Sequence, residues 1–230
     1  MKDLSIANRK KAIADREIGK KFRADGEYEK AIKKFSEAIN IDPNDAFAYG
    51  GRGLSYALND QDDLAIEDYT KSIEILKSGI AWLYNRRGLC YEIKKQYDLA
   101  IEDYNEAVKL APNDPENYYS RGLSYEEKEQ YELAIENYSE LIKYNKDEFT
   151  PSYPYTLRAY AYYKIRKYEL AINDYNEAIK LEPDNADTYA WRGSVYIKLG
   201  NKESAKQDFD KAFSLDPENE TAKDFAKELN

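Results

Sequence analysis

The sequence predicts an all-α chain of stacked helix pairs, an α-solenoid, and three observations carry that prediction. A twelve-residue string recurs in six copies at a nearly constant spacing. Each unit holds two stretches with apolar residues at helical spacing, split by a short polar turn such as Asp25-Gly26-Glu27. Glycine and proline number only 10 and 7 of 230 residues, which leaves little room for a turn-rich β architecture.

The string Tyr-Asp-Leu-Ala-Ile-Glu-Asp-Tyr-Asn-Glu-Ala-Val at 97–108 has a near copy at 168–179 and related copies at 28–39, 62–73, 131–142 and 202–213. Its alanines, Ala31, Ala65, Ala100, Ala134, Ala171 and Ala205, are spaced by 34, 35, 34, 37 and 34 residues. Such a period marks units that bury their apolar faces by stacking on one another. Counted from residue 12, copies begin at 12, 46, 81, 115, 152 and 186. Position 8 is Gly19, Gly53, Gly88, Gly122, Ala159 and Gly193, and position 20 is the alanine series. These small residues let the paired helices approach, and a bulky side chain there costs about 1–3 kcal/mol by overpacking. Aromatic residues at position 11 (Phe22, Tyr56, Tyr91, Tyr125, Tyr162, Tyr196) and position 24 (Phe35, Tyr69, Tyr104, Tyr138, Tyr175, Phe209) fill the adjacent space. Asp114 before Pro115 is an N-cap signal, and Asp45, Asn185 and Asn219 stand at the equivalent junctions.

This pattern resembles the tetratricopeptide repeat family across residues 12–219. The resemblance implies a right-handed α-solenoid of helix-turn-helix repeats at 12–45, 46–80, 81–114, 115–151, 152–185 and 186–219, within one domain spanning 1–230. The departures are few. Position 4, tryptophan in the family, is Asp15 in the first copy and Tyr49, Tyr84, Tyr118, Tyr155 and Tyr189 in the others. The proline of position 32 (Pro43, Pro112, Pro183, Pro217) gives way to Lys77 and Lys146, in the two copies that carry extra residues. Those joints are irregular, and the second, 146–154, holds two prolines. At the end, Ala222, Phe225, Ala226 and Leu229 recur at i, i+3, i+4 and i+7, so 220–230 is expected to cap the last repeat. Residues 1–11 are expected to extend the first helix or fray.

Two positions vary together. Position 7 is Arg52, Arg87, Arg121, Arg158 and Arg192 in copies two to six, where position 23 is Asp68, Asp103, Asn137, Asp174 and Asp208. In the first copy both change, to Ile18 and Lys34. An ion pair or hydrogen bond between the paired helices is therefore expected down the stack, rather than a ligand role.

Composition narrows the function. The chain has no histidine and a single cysteine, Cys90, which removes the commonest general base, an internal disulfide and any Cys/His zinc site. Neither a phosphate-binding glycine loop, a dinucleotide fingerprint nor an EF-hand loop is present. Cys90 falls at a mostly small position and reads as packing. No catalytic residue, metal site or cofactor is expected. A net charge of −9 disfavours nucleic acid. No run approaches about 18 apolar residues, so membrane insertion is not expected. The start lacks a signal-like apolar run, which makes a cytoplasmic chain the simplest expectation, although a trimmed piece of a longer protein would look the same. Residues 1–24 carry eight Lys/Arg against three acids, either a solvated first helix or a docking site for an acidic partner.

In the family, positions 2, 5, 9 and 12 of each first helix line a concave groove. By that resemblance the groove residues here are Arg16, Lys20, Phe47, Leu54, Trp82, Asn85, Leu89, Tyr119, Leu123, Tyr153 and Tyr160. A basic first repeat and an apolar-aromatic middle suit a peptide or protein segment; packing of several aromatics against neighbouring helices is the competing reading. The Gly50-Gly51 pair either admits a ligand backbone or is tolerated drift. The carboxylate clamp of some family members is not reproduced, because Gly50 and Leu54 stand where it would continue. The expected function is a non-enzymatic adaptor for a partner segment; the alternative is a self-associating scaffold or a regulatory subunit. The oligomeric state is open, with a monomer the simpler case.

Overall fold

Helices begin where the junction residues place them. Asp45, Asn185 and Asn219 accept the backbone amides of Ala48, Thr188 and Ala222 at 3.0, 3.1 and 2.7 Å. Asp114 accepts the Glu116 amide at 3.0 Å, with Pro115 in the first helical position. Each bond satisfies one of the amide donors a helix start leaves without an intrahelical partner. The computed structural model describes residues 5–77, 79–146 and 148–229. Among the described residues there are thirteen α-helices and no strands.

The chain forms two compact units, Met1–Asn113 and Asp114–Asn230. In the first, α1 (Ile6–Ala24) pairs with α2 (Tyr28–Ile41), α3 (Ala46–Ala57) with α4 (Asp62–Leu76), and α5 (Ala81–Ile93) with α6 (Tyr97–Leu110). In the second, α7 (Pro115–Glu127) pairs with α8 (Tyr131–Tyr144), α9 (Tyr153–Lys164) with α10 (Tyr168–Leu181), and α11 (Ala186–Lys198) with α12 (Lys202–Leu215). Within each unit the second helix of a pair also packs on the first helix of the next. The expected capping segment is α13 (Glu220–Ala226) and a 3-10 turn at Lys227–Leu229; Asn230 lies outside the described residues. Ala222 is buried there, and Phe225, Ala226 and Leu229 pack on the cluster around Tyr189 and Phe209. The first helix does extend back into residues 1–11, as far as Ile6, and residues 1–4 lie outside the description.

One backbone device closes every pair. Position 15 has positive φ in all six copies: Gly26 (76°), Asp60 (57°), Lys95 (58°), Glu129 (56°), Arg166 (60°) and Gly200 (75°). The left-handed residue turns the following amide back onto the carbonyl five residues earlier, as in Gln96 to Tyr91 at 2.8 Å and Asn201 to Tyr196 at 2.9 Å. This is the Schellman closure of a helix end. The irregular joints are built differently. Lys77 takes a φ of 61°. Beyond α8, the Asn145 side chain folds over the loop, accepting the Phe149 amide and donating to its carbonyl, both at 3.0 Å.

The core follows the register. The position-20 alanines are fully buried, as are the rings of Phe35, Tyr69, Tyr104 and Tyr138 at position 24. Position 8 faces those rings: a Cβ added at Gly88 would meet Tyr104 at 2.7 Å, and one at Gly193 would meet Phe209 at 2.7 Å. The Gly50-Gly51 pair also resolves. A Cβ on Gly51 would come within 2.5 Å of the Phe35 ring, so this glycine is required for packing between repeats.

The paired substitutions at positions 7 and 23 are contacts. Arg52, Arg87, Arg158 and Arg192 each grip their aspartate with two bonds of 2.6–2.9 Å, and Arg121 donates to Asn137 at 2.7 Å. The third guanidinium nitrogen reaches the previous repeat, at Ser36, Thr70, Ser139 and Asn176. Each of those four guanidiniums also lies 5.6–6.0 Å from the ring centroids at positions 4 and 11, for example Tyr49 and Tyr56 around Arg52. Many of the tyrosines are thus the stacking faces of a half-buried arginine ladder. In the first copy Asp15 takes position 4 and Lys34 reaches it at 3.2 Å.

Candidate functional site

Two pockets, one in each unit, occupy the same register. The first, about 380 Å³, lies between α1, α3 and α5. Phe47 and Trp82 at position 2 are 59% and 38% exposed, and Ile80 is 42% exposed, so their faces are open to a ligand. Gly50 forms part of the floor: a Cβ there would touch Leu83 at 3.2 Å and Trp82 at 3.5 Å. Trp82 is held edge-on to Tyr69, centroids 6.0 Å apart.

The basic wall comes from α1. Arg16 is committed to Asp45, with both oxygens at 2.8 Å, and lies 5.7 Å from the Phe47 centroid. Exposed Lys20 pairs with Glu17 at 2.8 Å. Half-buried Arg23 differs. Its Nη1 donates to the Gly51 carbonyl at 3.4 Å, its guanidinium lies 5.8 Å from the Phe35 centroid, and no carboxylate among the described residues pairs with it. Burial without an anion depresses its pKa. Nearby, the buried Tyr69 hydroxyl has no hydrogen-bond partner among the described residues. In copies three and four the equivalent hydroxyls, Tyr104 and Tyr138, donate to Glu92 and Glu126 at 2.9 Å. Copy two has Ala57 in place of that glutamate. The first pocket is therefore short of negative charge.

Of the other expected residues in this unit, Leu54 is half-buried against the cluster of Ala65, Tyr69, Leu83 and Cys90. Leu89 is half-buried as well. Asn85 is only 3% exposed, so its expected place on an open surface is corrected: its side chain is enclosed within the repeat, whereas Arg16 and Thr156 at the same position stay partly exposed. Cys90 is 1% exposed and its thiol is pushed up to about 12 by burial and then by Asp62, which keeps it protonated at neutral pH.

The second pocket, about 360 Å³, lies between α7, α9, α10 and α11. Tyr153, Tyr160, Tyr175 and Trp191 line it, with Glu126 and Asp187 as its acids. Tyr160 and Trp191 meet edge to face at 5.3 Å. Tyr119 lies beside Tyr153, hydroxyl to hydroxyl at 3.3 Å, and against Phe149 at 4.8 Å. Leu123 is half-buried.

The structure thus gathers Arg16, Lys20, Phe47 and Trp82 in one pocket and Tyr153 and Tyr160 in the other, with Tyr119 beside the second. Positions 2, 5, 9 and 12 omitted position 6, occupied by Gly51, Leu157 and Trp191. The signal was present, since positions 2, 6 and 9 share one helix face at i, i+4 and i+7. Among the described residues no helix is long and apolar enough to cross a membrane.

Comparison with known proteins agrees with the register. Tetratricopeptide repeat models match residues 81–114, 115–148 and 186–219, and a TPR repeat model matches 19–60 and 159–200. Serine/threonine-protein phosphatase 5 of Homo sapiens is 41% identical over 54 residues, 24% of this chain and 11% of the phosphatase. The chain thus spans about a tenth of that relative's length. Among solved structures, an APC/C hetero-tetramer of Cut9 and Hcn1 matches at TM-score 0.65 and 22% identity, over 95% of this chain and 42% of that one. YrrB, described as a TPR protein with an unusual peptide-binding site, matches at TM-score 0.73 and 21% identity, over 84% and 97%. At these identities the structural likeness concerns the fold.

Proposed function

The chain belongs to the tetratricopeptide repeat family, and we propose that it is a non-enzymatic interaction module that holds an acidic, apolar segment of a partner protein. The observation that carries this reading is Arg23, a half-buried cation with no carboxylate among the described residues, set beside the exposed faces of Phe47 and Trp82. A glutamate or aspartate of the segment would pair with Arg23 and Lys20, and a neighbouring apolar side chain would cover Phe47 and Trp82. Hydrogen bonds to charged groups contribute about 1.5–3 kcal/mol each, and an aromatic anchor about 2 kcal/mol or more. The rings sit on regular helices, so little ordering entropy opposes binding. The peptide-binding description of YrrB supports the same class of ligand. Leu54 and Leu89 would flank the anchor within the first unit, and Tyr119, Leu123, Tyr153 and Tyr160 would offer further binding surface in the second.

The test is fluorescence anisotropy against a panel of labelled peptides with Glu-Leu, Glu-Phe and Asp-Phe cores. Micromolar binding to acidic members is expected, with a loss of about tenfold or more in Arg23→Gln and in Phe47→Ala/Trp82→Ala. Circular dichroism checks that the variants fold. Equal binding of peptides with glutamine in place of glutamate, or full binding by folded variants, refutes the proposal.

A further inference from the structure

The register-equivalent pocket of the second unit has the opposite electrostatics. Where the first pocket has Arg23 at position 12, the second has Glu126; where the first has Phe47 and Trp82 at position 2, the second has Tyr153 and Asp187. Glu126 is half-buried, and its only hydrogen bond among the described residues is the Tyr138 hydroxyl at 2.9 Å. Asp187 accepts Asn219 Nδ2 at 2.8 Å. Neither acid pairs with a cation among the described residues. Tyr175, 1% exposed, lines the same cavity, and its hydroxyl has no hydrogen-bond partner among the described residues. The glutamate that takes this hydroxyl in copies three and four is replaced by Tyr163. Two acids without an ion-pair partner among the described residues, the side chain of Tyr175 and the rings of Tyr160 and Trp191 therefore converge on one cavity of about 360 Å³.

We propose that this pocket takes the arginine side chain of a partner peptide. Its guanidinium would lie against the Tyr160 and Trp191 rings, with its N–H groups shared between Glu126, Asp187 and the Tyr175 hydroxyl. The assignment to arginine rather than lysine follows from shape. A planar fork of donors can serve several acceptors while stacking on a ring, whereas an ammonium is a strongly hydrated point charge. The same chain already holds four guanidiniums between pairs of tyrosine rings. The nearest cation is Lys164, whose Nζ lies 5.4 Å from the Tyr131 centroid and 5.7 Å from Tyr160. It is exposed and makes no ion pair with a carboxylate among the described residues, although its charge acts on Glu126 from a distance. Burial, partly offset by the Tyr138 hydrogen bond, raises the Glu126 carboxyl above its ordinary pKa.

The inference extends the peptide-binding reading to a second subsite, and its test is independent of the first. Calorimetry uses the full chain and a short capped Gly-Arg-Gly peptide, with lysine and citrulline analogues as separate arms. Arginine is expected to bind most tightly, lysine about fivefold and citrulline about tenfold more weakly. Glu126→Gln, which can still accept the Tyr138 hydroxyl, should reduce arginine affinity about tenfold, as should Tyr160→Leu. Phe47→Ala/Trp82→Ala should leave it unchanged. Absence of binding at millimolar peptide, citrulline or lysine equal to arginine, or loss only in the first-pocket variant would each overturn the proposal. Failure of the acidic-peptide experiment alone would leave these outcomes readable.

Discussion

Position 15 offers a direct energetic test of how the helix pairs close. All six copies need a left-handed residue there, yet only Gly26 and Gly200 are glycine; Asp60, Lys95, Glu129 and Arg166 carry side chains at φ of 56–60°. A non-glycine residue in that conformation costs about 1–2 kcal/mol, and glycine in turn costs about 0.5–1 kcal/mol through its freer unfolded state. These four side chains are exposed and make no hydrogen bond or ion pair among the described residues, so the backbone dominates. Lys95→Gly should therefore stabilise its unit by about 0.5–1 kcal/mol, and Asp60→Gly/Lys95→Gly by about twice that, since the sites share no partner. The reverse change has a clean reference. A Cβ on Gly26 or Gly200 would meet nothing within 4 Å, so alanine there should cost about 1 kcal/mol with no steric contribution. Urea titration followed by circular dichroism reads both as midpoint shifts at constant slope. A lower midpoint for Lys95→Gly, or no change for Gly200→Ala, would refute the backbone argument.

Two further outcomes follow from the polar contacts. Arg87→Met and Asp103→Leu should each destabilise by about 3 kcal/mol, with a coupling energy above about 1 kcal/mol in the double-mutant cycle, whereas Asp103→Asn should be milder because Arg121–Asn137 already shows that pairing; zero coupling would remove the ladder from the account of stability. Burial raises the Glu126 pKa, so its ionised form is the disfavoured one in the folded chain. As pH falls through that raised value, wild type should gain stability relative to Glu126→Gln while arginine-peptide affinity falls, and the two trends, read by thermal melts and calorimetry, must run in opposite directions.

The register made the fold legible because each repeated letter has a local physical task. Alanine at position 20 and glycine at position 8 report helix approach, position 24 reports the ring that fills it, and the paired change of Ile18 with Lys34 reports the arginine ladder. The site was less legible for the same reason. A rule taken over whole repeats treats all copies alike, but a ligand site lies where a copy departs from its neighbours. Asn85 fits the rule and is buried. Trp191 does not fit it and lines the second pocket.

The departures themselves are informative once set on the structure. At position 12 the six copies read Arg23, Ala57, Glu92, Glu126, Tyr163 and Ile197. In copies three and four a glutamate satisfies the tyrosine of its own repeat. In copies two and five it is gone: the buried Tyr69 hydroxyl is left without a partner among the described residues near the first pocket, and Tyr175 lines the second. What stands over each pocket is then set by position 12 of the preceding copy, Arg23 in one case and Glu126 in the other. One substitution pattern on an otherwise repetitive scaffold thus gives two cavities of the same register and opposite charge. Stability needs only that the repeats be alike; the assignment of partner chemistry rests on where they differ.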